Sequence, residues 1–516
     1  MLATIKASQL TVFTILFLGI TVVGFGAARW RRGDLGDLTE WGLGGRRFGT
    51  FVTWYLLGGD LYTAYTFIAV PALVFGKGAL GLFALPFTIV VFPIIYLVMP
   101  RLWQVARNRG HLTISDFVKE RFQSPLLAVL VAITGIVAII PYISLQIYGI
   151  EVCIAEMGIP VDASLTIAFA VLVAFTAVSG LRAPTLIAAI KDTLIWITVL
   201  VAVIYLPLRL GGYAHIFAHV PTAKLVLPTK DFAGYSSLAL GSALFLFLYP
   251  HAITGTYSAS SKRAVERNAA YLPVYSILLG LIALLGYFAI AAGIHANGPY
   301  GKSGIVPALF ERFFPGPFAG FAFAAVSIGA LVPAAIMSVS AANLFSRNIW
   351  REFIRPRATA REEGLVARVV SAIIKFGALG FILGVTTQYV LYFQTGGGAW
   401  ILQTLPAVFL AVWCGWLDRR ATIAGWAVGI AWSTYLLFAV GFKTSFYSFA
   451  FLGHTTLFLG IPPLVANLIV TFGGTGLLRL LGMRPPPQQI PEIEFQVTVP
   501  AAVSPAPSEA PVAPPS

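Results

Sequence analysis

Residues 58 to 76 read GGDLYTAYTFIAVPALVFG, and residues 249 to 257 read YPHAITGTY. Both place polar and helix-breaking residues inside otherwise apolar runs. Backbone groups in hydrocarbon must be hydrogen-bonded, so an interrupted helix persists only where protein or water covers the break. In the first stretch Gly58, Gly59 and Asp60 weaken a helix before a half-helix resumes near Thr63. In the second, Gly241 and Ser242 fall in the preceding apolar run, and Pro250 removes a donor and crowds the turn before it. Breaks of this kind free two sorts of backbone group. The N–H groups near Thr63 and Tyr65 carry partial positive charge and could hold an anion, while the carbonyls around Gly59 and Tyr62 could hold a cation. Either break alone reads more often as a packing kink, because glycine and proline are common in membrane helices.

Further polar residues fall inside apolar runs. Lys191 and Asp192 are adjacent, and an ionisable residue within a membrane span is a functional hypothesis by default. His251 is of the residue type that serves most readily as a proton switch, which suits either proton coupling or a structural hydrogen bond. Asp60 suits proton coupling or, as the first choice, the N-cap of the resumed half-helix. Tyr142 and Gln146 stand i, i+4 and share a helix face. Uncharged donors of this kind suit a substrate that must be released, since a buried charge left unpaired on release is costly. Lys375 either offsets a buried carboxylate or faces an aqueous cavity.

The elements that must position these residues are membrane helices. Of 516 residues, 58% are hydrophobic and 10% charged, against about a quarter charged in a soluble domain. Runs long enough to cross roughly 30 Å of hydrocarbon number about thirteen. They centre on Phe17, Tyr62, Val90, Ile136, Phe169, Trp196, Phe247, Ile282, Ala330, Ile373, Phe409, Ala431 and Pro463. The net charge of +14 follows topology. Basic clusters come after odd-numbered runs: Arg29, Arg31, Arg32, Arg46 and Arg47; Arg101, Arg107 and Arg109; Lys262, Arg263 and Arg267; Arg347, Arg351 and Arg355; Arg419 and Arg420; Arg479 and Arg484. The positive-inside rule then puts the N-terminus outside and the C-terminus in the cytoplasm, and the charge does not indicate a nucleic-acid partner. Residues 9 to 28 read as a retained first helix, because the arginines after it resist translocation.

The two interrupted runs are five helices apart and oppositely directed. That is the pattern of an inverted-repeat transporter, whose site forms where two broken helices cross at mid-membrane. Cys153 and Cys414, the only cysteines, fall in separate spans and suggest neither a disulfide nor a metal site. The segment GPYGKSG from Gly298 lacks a glycine that a phosphate loop requires, and no zinc His–Glu pair or nucleophile elbow is present. The chain therefore reads as no enzyme and as needing no cofactor. From Pro485 to Ser516 it turns to Pro, Ala, Val and Ser, the composition of a disordered tail.

The chain resembles the sodium/solute symporter family, and within it the bacterial monocarboxylate permease branch, over its length before the tail. The matching stretches are WGLGGRRFGTFVTWYLLGGDLYTAYTFIAVPALVFG, TISDFVKERF, GLRAPTLIAAIKDTLIW, YPHAITGTYSAS, AAIMSVSAANLFSRNIWREFI and DRRATIAGWAVG; their order and placement carry the match. The resemblance implies an all-α polytopic protein with a LeuT-type five-plus-five inverted repeat and extra terminal helices. The divisions are a first helix and basic loop (1–47), a first repeat (48–210), a second repeat with an external loop (211–420), two C-terminal helices (421–484) and the tail (485–516).

It also implies a sodium site of backbone oxygens at Gly59, Tyr62 and Ala335, a hydroxyl at Ser338 and a nearby carboxylate at Asp192. The family's second hydroxyl falls on Val339, which has no side-chain oxygen to give a hard cation. Ser340 does not rescue it, because residues two apart on a helix point in different directions. Lys191 is a second departure. Its ammonium could supply positive charge at the weakened site, so that coupling runs on protons or at low sodium; the alternative is a lysine snorkelling towards Arg182. Relatives often carry Pro-His at Pro250–His251, and Gln403 falls where relatives contact substrate.

The reading is thus a multi-pass transporter of the bacterial inner membrane, importing short monocarboxylates such as lactate and pyruvate by cation-coupled alternating access. Thr63, Tyr65, Tyr142, Gln146, Ser242, Tyr249 and Gln403 are its expected substrate contacts, and no protein partner is required. The rivals are sodium-coupled uptake of an amino acid or sugar and a transporter-like sensor, although the tail offers no signalling module.

Overall fold

The computed structural model describes residues 6–27, 37–59, 61–385, 389–483 and 489–496. Asp60, Arg29, Arg31, Arg32 and Arg484 lie outside the described residues, as do 485–488 and 497–516 of the expected tail. Among the described residues, ten helices are long and apolar enough to cross a membrane, or eleven if one bent pair counts as a single span. The expected count of about thirteen differs for identifiable reasons. One apolar stretch, Tyr65–Arg109, contains both the resumed half of the second run and the third, separated only by a short 3-10 segment, Gly78–Phe83. The fifth run yields only a short apolar helix, Val161–Thr176, by the same measure.

At the centre stands the Gly316–Phe345 helix, whose apolar window is entirely buried. It packs against the helices Pro125–Glu156, Ala7–Ala27 and Arg182–Arg209. A helix apolar on all sides belongs in the middle of a bundle, and this one supplies the fixed post around which the broken helices stand. Its neighbours start where their sequences dictate. Pro125, Pro250 and Pro273 occupy first helical positions, where a missing N–H goes unnoticed. On the basic face, Thr113 and Asp116 form a reciprocal capping box for the short helix Ile114–Phe122, satisfying two N–H groups that helix geometry leaves open.

Both interruptions are present. The helix Thr50–Gly59 ends at the glycine pair, and the chain resumes through a π-helical turn, Tyr65–Ala69, into the helix Val70–Lys77. The helix Phe232–Leu246 ends before Pro250–Tyr257, the two bent by 44°. Here the position differs from expectation. Gly241 and Ser242 sit within continuous helix, and the break spans Phe247–Tyr249. Gly241 instead accommodates the Phe458 ring, which a Cβ at that position would meet at 2.5 Å.

Phe458 belongs to a second unexpected feature, an antiparallel hairpin of Phe446–Phe449 and Thr455–Phe458 in a chain expected to be all helical. The FYSF and TTLF segments are aromatic and β-branched, a composition that favours strands. The Phe458 N–H donates to the Ser237 hydroxyl at 2.9 Å, anchoring the hairpin to the broken helix. The final helix begins only after it, at Ile461, so Pro463 lies in its first turn rather than at its centre.

The tail expectation also needs correction for residues 489–496. They form a one-turn 3-10 helix, Glu492–Phe495, with Ile490 and Phe495 fully buried. Glu494 accepts from Arg109 at 2.6 and 2.8 Å, and the Ile490 carbonyl accepts from Arg121 at 3.1 Å. Two apolar anchors and the arginines of the basic face thus tie down a segment whose composition alone gives no reason to order.

Candidate functional site

The first break is built to admit side chains against the backbone. A Cβ on Gly58 would lie 2.3 Å from the Tyr275 ring, and one on Gly59 would lie 2.8 Å from Lys191 Nζ. The space these glycines leave is filled by a charged cluster. Lys191 Nζ donates to the Gly59 carbonyl and, at 3.1 Å, to the Tyr62 carbonyl. Its third neighbour is Asp192 Oδ1, also at 3.1 Å. An ammonium has three donors and no acceptor, and three oxygens surround this one. The Tyr275 hydroxyl donates to Asp192 Oδ2 at 2.6 Å, and the Tyr62 hydroxyl donates to the Tyr275 carbonyl at 3.1 Å. Lys191 and Asp192 are both fully buried. A lysine snorkelling to the basic face is therefore not what the geometry shows.

Of the other expected cation ligands, Ala335 and Ser338 lie on the Gly316–Phe345 helix, where the Ser338 hydroxyl donates to the Ala335 carbonyl at 2.9 Å. Among the described residues neither is hydrogen-bonded to Lys191 or Asp192. Val339 is buried and contributes no oxygen. The Ser340 hydroxyl is committed to the Ile336 carbonyl at 2.7 Å.

The resumed half of the first broken helix departs from the expected open anion seat. Its first N–H groups are already taken. Thr63 N–H donates to the Thr66 hydroxyl (3.1 Å), Tyr65 N–H to the Thr63 hydroxyl (3.0 Å), and Ala64 N–H to Gln146 Oε1 (3.1 Å). With its oxygen so directed, Gln146 keeps a buried amide nitrogen, Nε2, with no partner among the described residues. An acidic substrate can reach the helix end only by exchanging with Gln146 or the threonine hydroxyls.

One turn away on the same helix, Tyr142 packs at the second break, its ring tilted against Tyr249 with centroids 5.3 Å apart and edge-on to His251 at 5.5 Å. The i, i+4 pair therefore touches both breaks: Gln146 the first, Tyr142 the second. Tyr249 is held by donation to the Gln394 carbonyl at 2.7 Å. It passes so close to Gly397 that a Cβ there would meet the Tyr249 hydroxyl at 2.8 Å.

The side chains of three expected contacts are engaged elsewhere than at this centre. Gln403 donates to the carbonyls of Ala399 (3.1 Å) and Gly460 (3.3 Å), and its own carbonyl accepts from Asn467 at 2.8 Å. It locks the final helix to the bundle. Ser242 is buried on unbroken helix, its hydroxyl with no hydrogen-bond partner among the described residues. Tyr65 is buried edge-on to Phe87, the centroids 6.3 Å apart. Conversely, Tyr275, Thr66 and Gln394 hold the site together, and nothing in the sequence singles them out from other polar residues in apolar runs.

On the basic face, a cavity of about 240 Å³ opens beside the foot of the Thr50–Gly59 helix, bordered by Arg47, Phe48, Val52, Arg182 and Leu186. Glu40 bridges its two arginines, pairing with Arg47 at 3.1 Å and with Arg182.

Residues 41–429 match the sodium:solute symporter family. The chain is 45% identical over 93% of its length to a monocarboxylate transport permease protein of Rhizobium johnstonii, covering 98% of that protein. It is 33% identical over 82% of its length to an uncharacterized symporter of Bacillus subtilis, covering 86% of it. Among solved structures, a Na+-coupled sialic acid symporter in a substrate-bound outward-open state superimposes with a TM-score of 0.72 at 15% identity, covering 91% of this chain and 98% of that one. Two helix breaks beside a buried central helix, a LeuT-like fold, and a family match across both breaks lead to one conclusion: this chain belongs to the sodium:solute symporter family of membrane transporters.

Proposed function

We propose that this protein imports short monocarboxylates, lactate and pyruvate among them, across the bacterial inner membrane by alternating access, and that its coupling ion is the proton. The substrate class rests on the permease of Rhizobium johnstonii. The coupling rests on one observation: Lys191 Nζ stands against the Gly59 and Tyr62 carbonyls beside Asp192, where the family resemblance puts sodium.

A sodium ion and an ammonium cannot share that seat, because two unit charges a few ångströms apart in a poorly screened interior repel by several kcal/mol. While Lys191 holds its proton, it ties the Thr50–Gly59 half-helix to the Arg182–Arg209 helix. When the proton leaves, the neutral amine keeps two N–H groups but no charge, so its hold on two carbonyls and a carboxylate weakens and the half-helix is freed to move. Proton binding and helix position are thereby coupled.

The substrate carboxylate would be met by the Gln146 amide N–H and by the Ala64 and Tyr65 N–H groups once their present partners yield. Tyr142, Tyr249 and His251 would wall the organic end and limit chain length. The basic face is assigned to the cytoplasm, with the N-terminus outside, and the cavity at Arg47 and Arg182 to substrate exit. The two broken helices would open two five-helix repeats, 48–210 and 211–420.

The test is radiolabelled lactate and pyruvate flux into proteoliposomes with sodium and pH gradients imposed independently. Uptake driven by a proton gradient without sodium is expected. Uptake that requires sodium and ignores pH would overturn the coupling, and uptake of neither acid would overturn the substrate class.

A further inference from the structure

Lys375 lies deep within the Ala360–Gly384 helix, only 2% exposed. Its ammonium bonds within its own turn, to the Ser371 carbonyl at 3.1 Å and the Ser371 hydroxyl at 2.9 Å. Among the described residues no carboxylate pairs with it. A buried ammonium with no counter-charge is costly in any low-dielectric setting, so the question is what neutralises it.

Lys375 borders a cavity of about 30 Å³ that Trp41, Thr176, Ser371 and Arg368 also line. Trp41 is itself 2% exposed, and among the described residues its indole Nε1–H has no hydrogen-bond acceptor. The Thr176 hydroxyl donates to its own helix, at the Leu172 carbonyl, 2.7 Å away. Among the described residues the lining therefore offers an ammonium and an indole N–H without an acceptor, and no acidic side chain. The volume suits one or two waters or a single monatomic ion, and excludes a three-carbon acid. A water accepting from Lys375 and Trp41 would satisfy the donors but leave the charge uncompensated. A monovalent anion does both.

We propose that this cavity, between the helices Leu38–Leu43, Val161–Ser179 and Ala360–Gly384, is a binding site for a halide-sized monovalent anion, held by the Lys375 ammonium and the Trp41 indole N–H. The site is separate from the helix breaks and independent of which solute they carry. Its anion would fasten the Leu38–Leu43 segment, which leads into the first broken helix, to two helices of the surrounding bundle.

The test uses the purified full-length protein without substrate, melted in sodium chloride, sodium bromide or sodium gluconate at equal ionic strength. Ligand that binds only the folded state raises the melting temperature with its concentration. A saturable rise of several degrees is expected in chloride and bromide over gluconate. Trp41→Phe should move the half-saturating halide concentration upward at least about fivefold, the loss of one charge-assisted hydrogen bond, and Lys375→Met should remove the halide dependence. If Lys375→Met does not fold, the Trp41→Phe shift alone carries the test. Equal melting in halide and gluconate overturns the site, and so does a halide effect that both variants retain.

Discussion

Lys191 Nζ lies 3.1 Å from the Tyr62 carbonyl oxygen, so a side chain of one helix hydrogen-bonds the unwound, buried backbone just past the end of another. Removing the ammonium should therefore uncouple transport and weaken the fold at once. Lys191→Met leaves Asp192 buried without its ion-pair partner, a loss of about 3–5 kcal/mol for a buried pair broken on one side. The double variant Lys191→Met with Asp192→Asn removes the stranded charge and should recover most of the melting temperature. It should not recover uptake driven by a pH gradient. Thermal melts with paired flux assays separate the two effects.

Tyr275 tests the carboxylate's other support. Its hydroxyl donates to Asp192 Oδ2 at 2.6 Å, and a hydrogen bond to a charged group contributes about 1.5–3 kcal/mol. Tyr275→Phe keeps the ring that packs on Tyr62, centroids 4.6 Å apart. The expected outcome is a lowered melting temperature and an altered pH profile of uptake, with the apparent KM for lactate nearly unchanged. A shifted KM with an unaltered pH profile would mean that Tyr275 serves the substrate instead.

Gly59→Ala puts a methyl 2.8 Å from Lys191 Nζ and 3.3 Å from Asp192 Oδ1. The ammonium must then leave the Gly59 carbonyl, and uptake should fall at least tenfold, on the order of 1.4 kcal/mol or more in the free energy of the coupled step. Gly59→Leu should abolish it. Gly110→Ala is a useful control, since a Cβ there meets nothing within 4 Å although its φ is +72°; strain at that position should lower stability without selectively affecting pH-driven flux.

At the substrate seat, Gln146 and Thr63 are the discriminating positions. Gln146→Glu sets a carboxylate where the substrate's own carboxylate would arrive, and like charges brought together in a poorly screened site repel. Lactate uptake should be lost. Gln146→Ala should raise KM several-fold with a smaller effect on kcat, because it removes a ground-state contact. Thr63→Ala removes the hydroxyl that the carboxylate must displace from the Tyr65 N–H and should lower KM. Normal uptake by both Gln146→Glu and Thr63→Ala would remove the carboxylate from this end of the helix.

Much of this centre is legible in the sequence because breaking a membrane helix demands unusual residues. Gly58–Gly59 and Tyr249–Pro250 announce their breaks, and Lys191 stands out as a cation in an apolar run. What escapes is what depends on distant partners. Gly241–Ser242 has the composition of a break, yet the small residues make room for Phe458 from a hairpin more than two hundred positions later. Gln403 resembles a substrate contact until Asn467 is seen to hold it. Thr63 looks like an open helix end, but its neighbour Thr66 and the remote Gln146 close that end. Tyr275 is one tyrosine among many until it is placed against Asp192.

Residues 489–496 give the last prediction. Phe495 is fully buried edge-on to Phe117, the centroids 6.3 Å apart, with the Arg121 guanidinium 5.2 Å from its ring centroid. Glu494 accepts two hydrogen bonds from Arg109, and Lys262 donates to the Gln496 carbonyl at 3.1 Å. The segment is short and joined to the bundle by side chains alone, so it should open locally without the bundle unfolding. Truncating a buried phenylalanine to alanine costs about 3–5 kcal/mol where the site cannot collapse, enough to shift a local equilibrium of that size to the open form. Phe495→Ala should therefore leave the global melting temperature within a degree or two while making the C-terminal region readily cleaved by added protease. Glu494→Gln, which keeps the shape but weakens the arginine pairing, should give an intermediate cleavage rate that rises with salt, as expected for a partly exposed ion pair. Equal protease resistance in all three proteins would mean that the anchors do not hold the segment in solution.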